Sequence, residues 1–134
     1  MATTTILDNE YATLWLHEEK KIVHHKVKKY VHGQNLQQLL MKVYEVLKKN
    51  SCKKWLSDDV NNGPLGKEDE AWAKSKWFPE VIKAGWRFWA IVMPAQLIGQ
   101  LNMKRFVEDY AKAGITVNVF SESDKALAWL ESMK

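Results

Sequence analysis

The sequence predicts an α/β domain: a mixed sheet with an antiparallel N-terminal edge and four helices, in the order β-β-β-α-β-α-β-α-β-α. Three observations predict it. From Ile22 onward, stretches of two-residue and 3.6-residue hydrophobic period alternate strictly. Such alternation builds parallel strand pairs joined by right-handed crossovers. Before that point the chain carries only short alternating runs separated by polar turns, the pattern of an antiparallel meander. Finally, Arg87–Met93 is apolar on both faces, as a central strand covered from both sides requires.

The meander opens with Ile6–Asn9 and Ala12–Leu16, turned at Asn9-Glu10. In the second strand Leu14 and Leu16 share one face, while Thr13 and Trp15 share the other. A charged turn, His17-Glu18-Glu19-Lys20-Lys21, leads into Ile22–Lys28. There Val23, His25 and Val27 oppose Ile22, His24 and Lys26. The period then lengthens. Leu36, Leu39, Leu40, Val43, Val46 and Leu47 recur three and four apart, which predicts an amphipathic helix from Asn35 to Lys49.

Lys54–Ser57 is a short interior strand. After the turn-rich loop Asn61-Asn62-Gly63-Pro64, the acids Glu68, Asp69 and Glu70 open a second helix at its positive dipole end. Pro79 restarts or kinks that helix, and Gly85 ends it. Pro94 closes the central strand. A third helix runs from Leu97 to Ala113 with Met103, Phe106, Val107 and Tyr110 toward the core. Thr116–Phe120 is the last strand. Ser121 or Ser123 caps a final helix that carries Ala126, Leu127, Leu130 and Met133 on one face.

At 134 residues, the span 1–134 is expected to form one domain with a single core. A composition 46% hydrophobic and 27% charged argues against disorder. No apolar run approaches the ~18 residues of a membrane helix. The start, MATTTILDNEY, has neither the basic nor the apolar region of a signal peptide. Cys52 stands alone, so no disulfide closes within the chain, and a reducing cytoplasm is expected. The net charge is +4, yet apart from Arg87 and Arg105 the cations are lysines. Readers of nucleic acid favour arginine for bidentate contacts, so a solvated surface is expected here and no nucleic-acid partner.

The chemistry-bearing residues gather at one junction. In residues 53–70, KKWLSDDVNNGPLGKEDE, a strand ends in Ser57, Asp58 and Asp59, a loop carries Asn61 and Asn62, and a helix follows. Ligands of open α/β sheets sit at such strand ends. The same residue types also build turns by bonding nearby backbone donors. A calcium loop fails by register: with Gly63 at the sixth position, Val60 falls on the third and Asp69 on the twelfth. His24 and His25 point to opposite faces of one strand and cannot chelate one ion. There is no CxxC or HExxH spacing, so no metal and no cofactor is expected.

His25, on the valine face, reads as a hydrogen-bonded core histidine that would pair with Asp58 or Asp59 if their strands are adjacent. With Ser57 this would imitate a catalytic triad, but the sequence has no G-x-S-x-G elbow. It has no Walker loop or GxGxxG either. Cys52 follows a helix end, where a thiolate is disfavoured. Trp55, Trp72 and Trp77 would wall an apolar part of the site. Phe78, Leu97, Ile98 and Leu101 exceed the one apolar stripe each helix needs. Such a surplus points to an apolar pocket or an oligomer contact.

Four strings give a family resemblance: KKIVHHKVKKYVHG before the first helix, KKWLSDD at the key strand, NMKRFVEDYAKAG in the third helix and SDKALAWL near the end. With the element order, they resemble the STAS group (sulfate-transporter and anti-sigma-factor-antagonist domains), in particular its bacterial anti-sigma-antagonist-like branch. The resemblance spans almost the whole chain. It implies a small STAS-like α/β domain with four helices that binds partner proteins or, in some members, small ligands such as nucleotides or lipids. Members with a kinase-controlled switch carry Ser or Thr beside an Asp at the start of the helix after this strand. Here the matching turn is Gly66-Lys67, without a hydroxyl, and Ser57 is the hydroxyl nearest to that place.

The sequence thus leads to a cytoplasmic, non-enzymatic binding or regulatory module, a homodimer acting through the Ser57–Gly63 loop. The alternative is a carrier of small apolar ligands with a pocket between sheet and helices. A dry, closed core would count against the carrier, and an apolar cavity would count for it.

Overall fold

Six strands hydrogen-bond in the order in which they occur: β1 (Thr3–Asp8), β2 (Ala12–His17), β3 (Ile22–Val27), β4 (Lys54–Asp58), β5 (Phe88–Val92) and β6 (Thr116–Phe120). The structure, a computed structural model, describes residues 3–63 and 65–133. Pro64, read as part of the loop after β4, lies outside them. The β1–β2 and β2–β3 pairs are antiparallel, and the three pairs from β3 to β6 are parallel. The sheet is therefore mixed with an antiparallel N-terminal edge, as the alternation of strand and helix from Ile22 onward predicts.

Because spatial order equals chain order, successive right-handed crossovers all fall on one face. That face carries α1 (Gly33–Lys49), α2 (Lys67–Trp72), a π-helical turn (Ala73–Trp77), α3 (Phe78–Lys83), α4 (Ala95–Gln100) and α5 (Met103–Lys112). The last helix, α6 (Ser123–Ser132), packs back on β4, β5 and β6 from the other face. Lys54 Nζ holds its end by donating to the Met133 carbonyl at 2.7 Å. No helix among the described residues is long and apolar enough to cross a membrane.

The four predicted helices correspond to more segments than expected, for local reasons. Pro79 has no N–H and its ring crowds the preceding turn. The chain answers with the π-helical turn just before it, which divides the second helix into α2 and α3. The third helix is broken at Leu101, which is extended (φ −83°, ψ 133°). Asn102 then restarts it as α5 by accepting the Arg105 N–H.

α1 also begins earlier than its hydrophobic pattern. The Asp69 carboxylate of α2 receives the Gly33 N–H at 3.1 and 3.2 Å. Gly33 sits at φ +60°, a left-handed conformation that suits glycine. A cap supplied from 36 residues away leaves no local sequence signal. The apolar stripe itself is as the spacing predicts: Leu36, Leu39, Leu40, Val43, Val46 and Leu47 are all buried. The stripe on α5 is different. Met103, Phe106, Val107 and Tyr110 are only half-buried, and that helix has no fully buried residue. It meets the sheet through rings, with Tyr110 5.0 Å and Phe106 6.4 Å from Trp89 between centroids.

Candidate functional site

Parallel register brings the site together. One row across the sheet runs Val23, Trp55, Trp89, Val117, and the next runs His25, Ser57, Ile91, Val119. Trp55 and Trp89 stack side by side, with centroids 5.6 Å apart and planes 7° apart. Trp77 and Trp86 close on Trp55 edge-on at 5.5 and 5.3 Å. In front of these rings, between the sheet and the helices of the first face, lies a half-open cavity of about 550 Å³. Val31, Leu36, Leu39 and Leu40 form one wall, and Phe78, Trp86 and Tyr110 form another. Leu97, half exposed, stands at the rim.

The polar end of the cavity is a small hydrogen-bonded network. The Trp55 Nε1–H donates to His25 Nδ1 at 3.1 Å. That bond fixes the tautomer: Nε2 carries the imidazole proton and donates it to Asp59 Oδ1 at 3.1 Å. Ser57 Oγ–H donates to Asp59 Oδ2 at 2.6 Å. The direct Ser57–His25 approach is long, 3.5 Å. The hub is therefore the carboxylate. In a triad the histidine would accept the serine proton. Here both imidazole nitrogens are already engaged, so His25 orients Asp59 and is not placed to act as the base.

The sequence-predicted residues divide between the two faces. Ser57, Asp59, Asn62, Trp55 and Trp77 all border the cavity, and Ser57 is buried. Asn62 pins the loop by accepting the Val31 N–H at 3.2 Å and the Gly63 N–H at 3.0 Å. A Cβ at Gly63 would stand 2.6 Å from the Tyr30 ring, so any larger residue there would push that exposed ring aside. Asp58 sits in the row of Lys26 and Val92, on the sheet face opposite Ser57, and accepts the Val60 N–H at 3.4 Å in a turn. Asn61 is exposed. Trp72 packs half-buried on the core without bordering the cavity. Among the surplus apolar residues, Phe78 turns inward, edge-on to Trp86 at 5.6 Å. Ile98 and Leu101 are half-buried.

Trp86, Trp89, Met93 and Tyr110 complete the cavity and are not marked by the sequence pattern as site residues. The signal that finds them is the strand pairing. Once β4 and β5 are parallel neighbours in register, Trp89 must stand beside Trp55. Burial pushes the Tyr110 phenol above its ordinary range. The Trp89 Nε1–H is buried among the rings without a hydrogen-bond acceptor. On the opposite face, burial drives His24 down to about 3 and lowers His17 as well; their Nδ1 and Nε2 atoms lie 3.1 Å apart. Cys52 is buried and its thiol pushed up by burial, an unreactive setting. No group of three or more His, Cys, Asp or Glu among the described residues could hold a metal ion.

Fold and site together define a class: an α/β domain with an aromatic, half-open cavity on the helical face of a mixed sheet. No family model, curated protein or solved structure matches the chain.

Proposed function

We propose that this chain is a small-ligand-binding domain that holds an apolar molecule between its sheet and its helices, without catalysis. The observation that carries this reading is the cavity. Its volume of about 550 Å³ falls within the roughly 300–1,000 Å³ of small-molecule sites. Like those sites it has mostly apolar walls and a few converging polar groups, here Ser57, His25, Asp59 and Asn62. The engaged imidazole of His25 speaks against nucleophilic catalysis at Ser57. The resemblance to STAS domains belongs to the same proposal, since small-ligand binding is among the roles it implies. A regulatory homodimer through Leu97, Ile98 and Leu101 is the lesser reading, because Leu97 also serves as the cavity rim.

The test is a titration with neutral phenylnaphthylamine, which fluoresces in apolar surroundings, alongside native mass spectrometry of gently purified protein. Saturable one-to-one binding is expected, and it should be lost in Leu36→Trp, which fills the cavity from α1. Absence of saturable binding to the native chain, with no copurified small molecule in the spectrum, would overturn the proposal.

A further inference from the structure

Deepening the ligand-binding reading and resting on it, we propose that the cavity selects a cationic amine, an apolar or aromatic body whose ammonium group sits against the Asp59 carboxylate. Three observations converge on this class. The first is charge. Among the described residues that border the cavity, Asp59 is the only carboxylate, and none is a lysine or arginine. The groups bound to Asp59, the His25 N–H and the Ser57 O–H, are hydrogen-bond donors that bring no counter-charge. Trp55 occupies the other imidazole nitrogen, so His25 meets Asp59 as a neutral ring.

The second observation is capacity. Each carboxylate oxygen can accept more than one hydrogen bond, and each receives one here. The Asp59 side chain is 30% exposed, so its remaining lone pairs can be reached. An ammonium would bring both the missing charge and the missing donors. A carboxylate or phosphate head would meet a like charge and no cation.

The third is the wall. Trp55, Trp77, Phe78, Trp86, Trp89 and Tyr110 border the same space. Aromatic faces attract cations through their quadrupoles, and aromatic bodies stack or pack edge-on against them. A site for a neutral lipid tail needs only aliphatic walls. Here a carboxylate is held in place by two dedicated donors, beside rings.

The experiment is calorimetric titration of the full chain with three probes that share one hydrocarbon: naphthylethylamine, naphthylethanol and naphthylacetate. The amine should bind one-to-one and about tenfold or more tighter than the alcohol, as a charge-assisted hydrogen bond is to a neutral one. The acetate should be the weakest. In Asp59→Asn the amine should fall to within about threefold of the alcohol, while the affinity for the alcohol is retained, which also reports that the cavity is intact. If the alcohol or the acetate binds the native chain as tightly as the amine, the selectivity proposal fails and the cavity reading stands. If neither these probes nor phenylnaphthylamine binds, both fail together.

Discussion

Beneath α6, the sheet offers short aliphatic side chains at its centre, flanked by Phe88 and Phe120. Ile22, Leu56, Ala90 and Val92 meet Ala126 and Leu130, and all six are essentially inaccessible. Beneath α1 and α3, the same strands offer tryptophan. Trp55 directly precedes Leu56 and Trp89 directly precedes Ala90, yet alternation sends each pair to opposite faces. Small residues let one helix settle onto the strands. On the other face the rings and the helices pack into a buried cluster that borders a half-open cavity of about 550 Å³. A single sheet is thus close-packed on one side and borders a half-open cavity on the other. The choice is written in alternate residues of the same strands.

The largest expected effects separate the faces by removing volume. Leu56→Ala and Leu130→Ala delete side chains that are 0% exposed, and each should cost about 2–5 kcal/mol, because a close-packed site relaxes little around a new void. Leu36→Ala, on the cavity wall, should sit at the lower end of that range, about 2 kcal/mol, since part of its surface already borders space. Urea denaturation of the three variants decides the matter. A cost for Leu36→Ala equal to that for Leu130→Ala would mean that the two faces are packed alike.

This contrast was only half legible in the sequence. Period and turn residues were enough for the number of strands and the α1 stripe, because these follow from local alternation. His25 was legible as a hydrogen-bonded core histidine for the same reason: it shares a face with Val23 and Val27. The first strand, expected at Ile6–Asn9, instead runs from Thr3 to Asp8, because Thr3, Thr4 and Thr5 pair with β2 without an apolar pattern of their own. What could not be read locally depends on pairing between distant strands. Ser57 and Asp59 reach His25 only because β3 and β4 are parallel neighbours. Asp58 looks equivalent to Asp59 in the string SDD, yet the pleat turns it to the other face. The start of α1 was set by Asp69 from another helix, whereas the break at Leu101 had a local signal in Gly99 and the capping residue Asn102.

The adjacent histidines distinguish the two faces through pH. His25 faces the cavity, whereas His24 lies on the other face against His17 and Trp15. Burial first, then the electrostatic influence of its neighbours, depresses His24 from an ordinary value of 6.5 to about 3. The unfolded chain therefore takes up a proton near pH 6.5 that the folded chain refuses until about pH 3. Stability from this group is fully present above pH 6.5 and is lost as pH falls toward 3, with a slope of at most about 1.4 kcal/mol per pH unit. Chemical denaturation of the native chain and of His24→Gln between pH 7 and about 5, above most carboxylate titration, should show a shallower fall in the variant. Parallel curves would place His24 in solvent.

The smallest effects come from adding volume, and here the two faces should differ in kind. Ala126→Leu inserts methylenes where α6 already touches the strands and Ala126 has 0% exposure. Overpacking of that sort costs about 1–3 kcal/mol, since neighbours must leave their rotamers or the helix must lift. Leu36→Trp adds more volume, but toward a cavity of about 550 Å³, so the new ring can enter space without displacing anything. Its cost should stay within about 1 kcal/mol. Thermal and urea midpoints measured on both variants test this directly. A tolerated tryptophan beside a penalised leucine means the open space belongs to the folded state. A tryptophan that destabilises as much as the leucine means the helical face is as tightly closed as the face under α6, and a ligand would then have to open it.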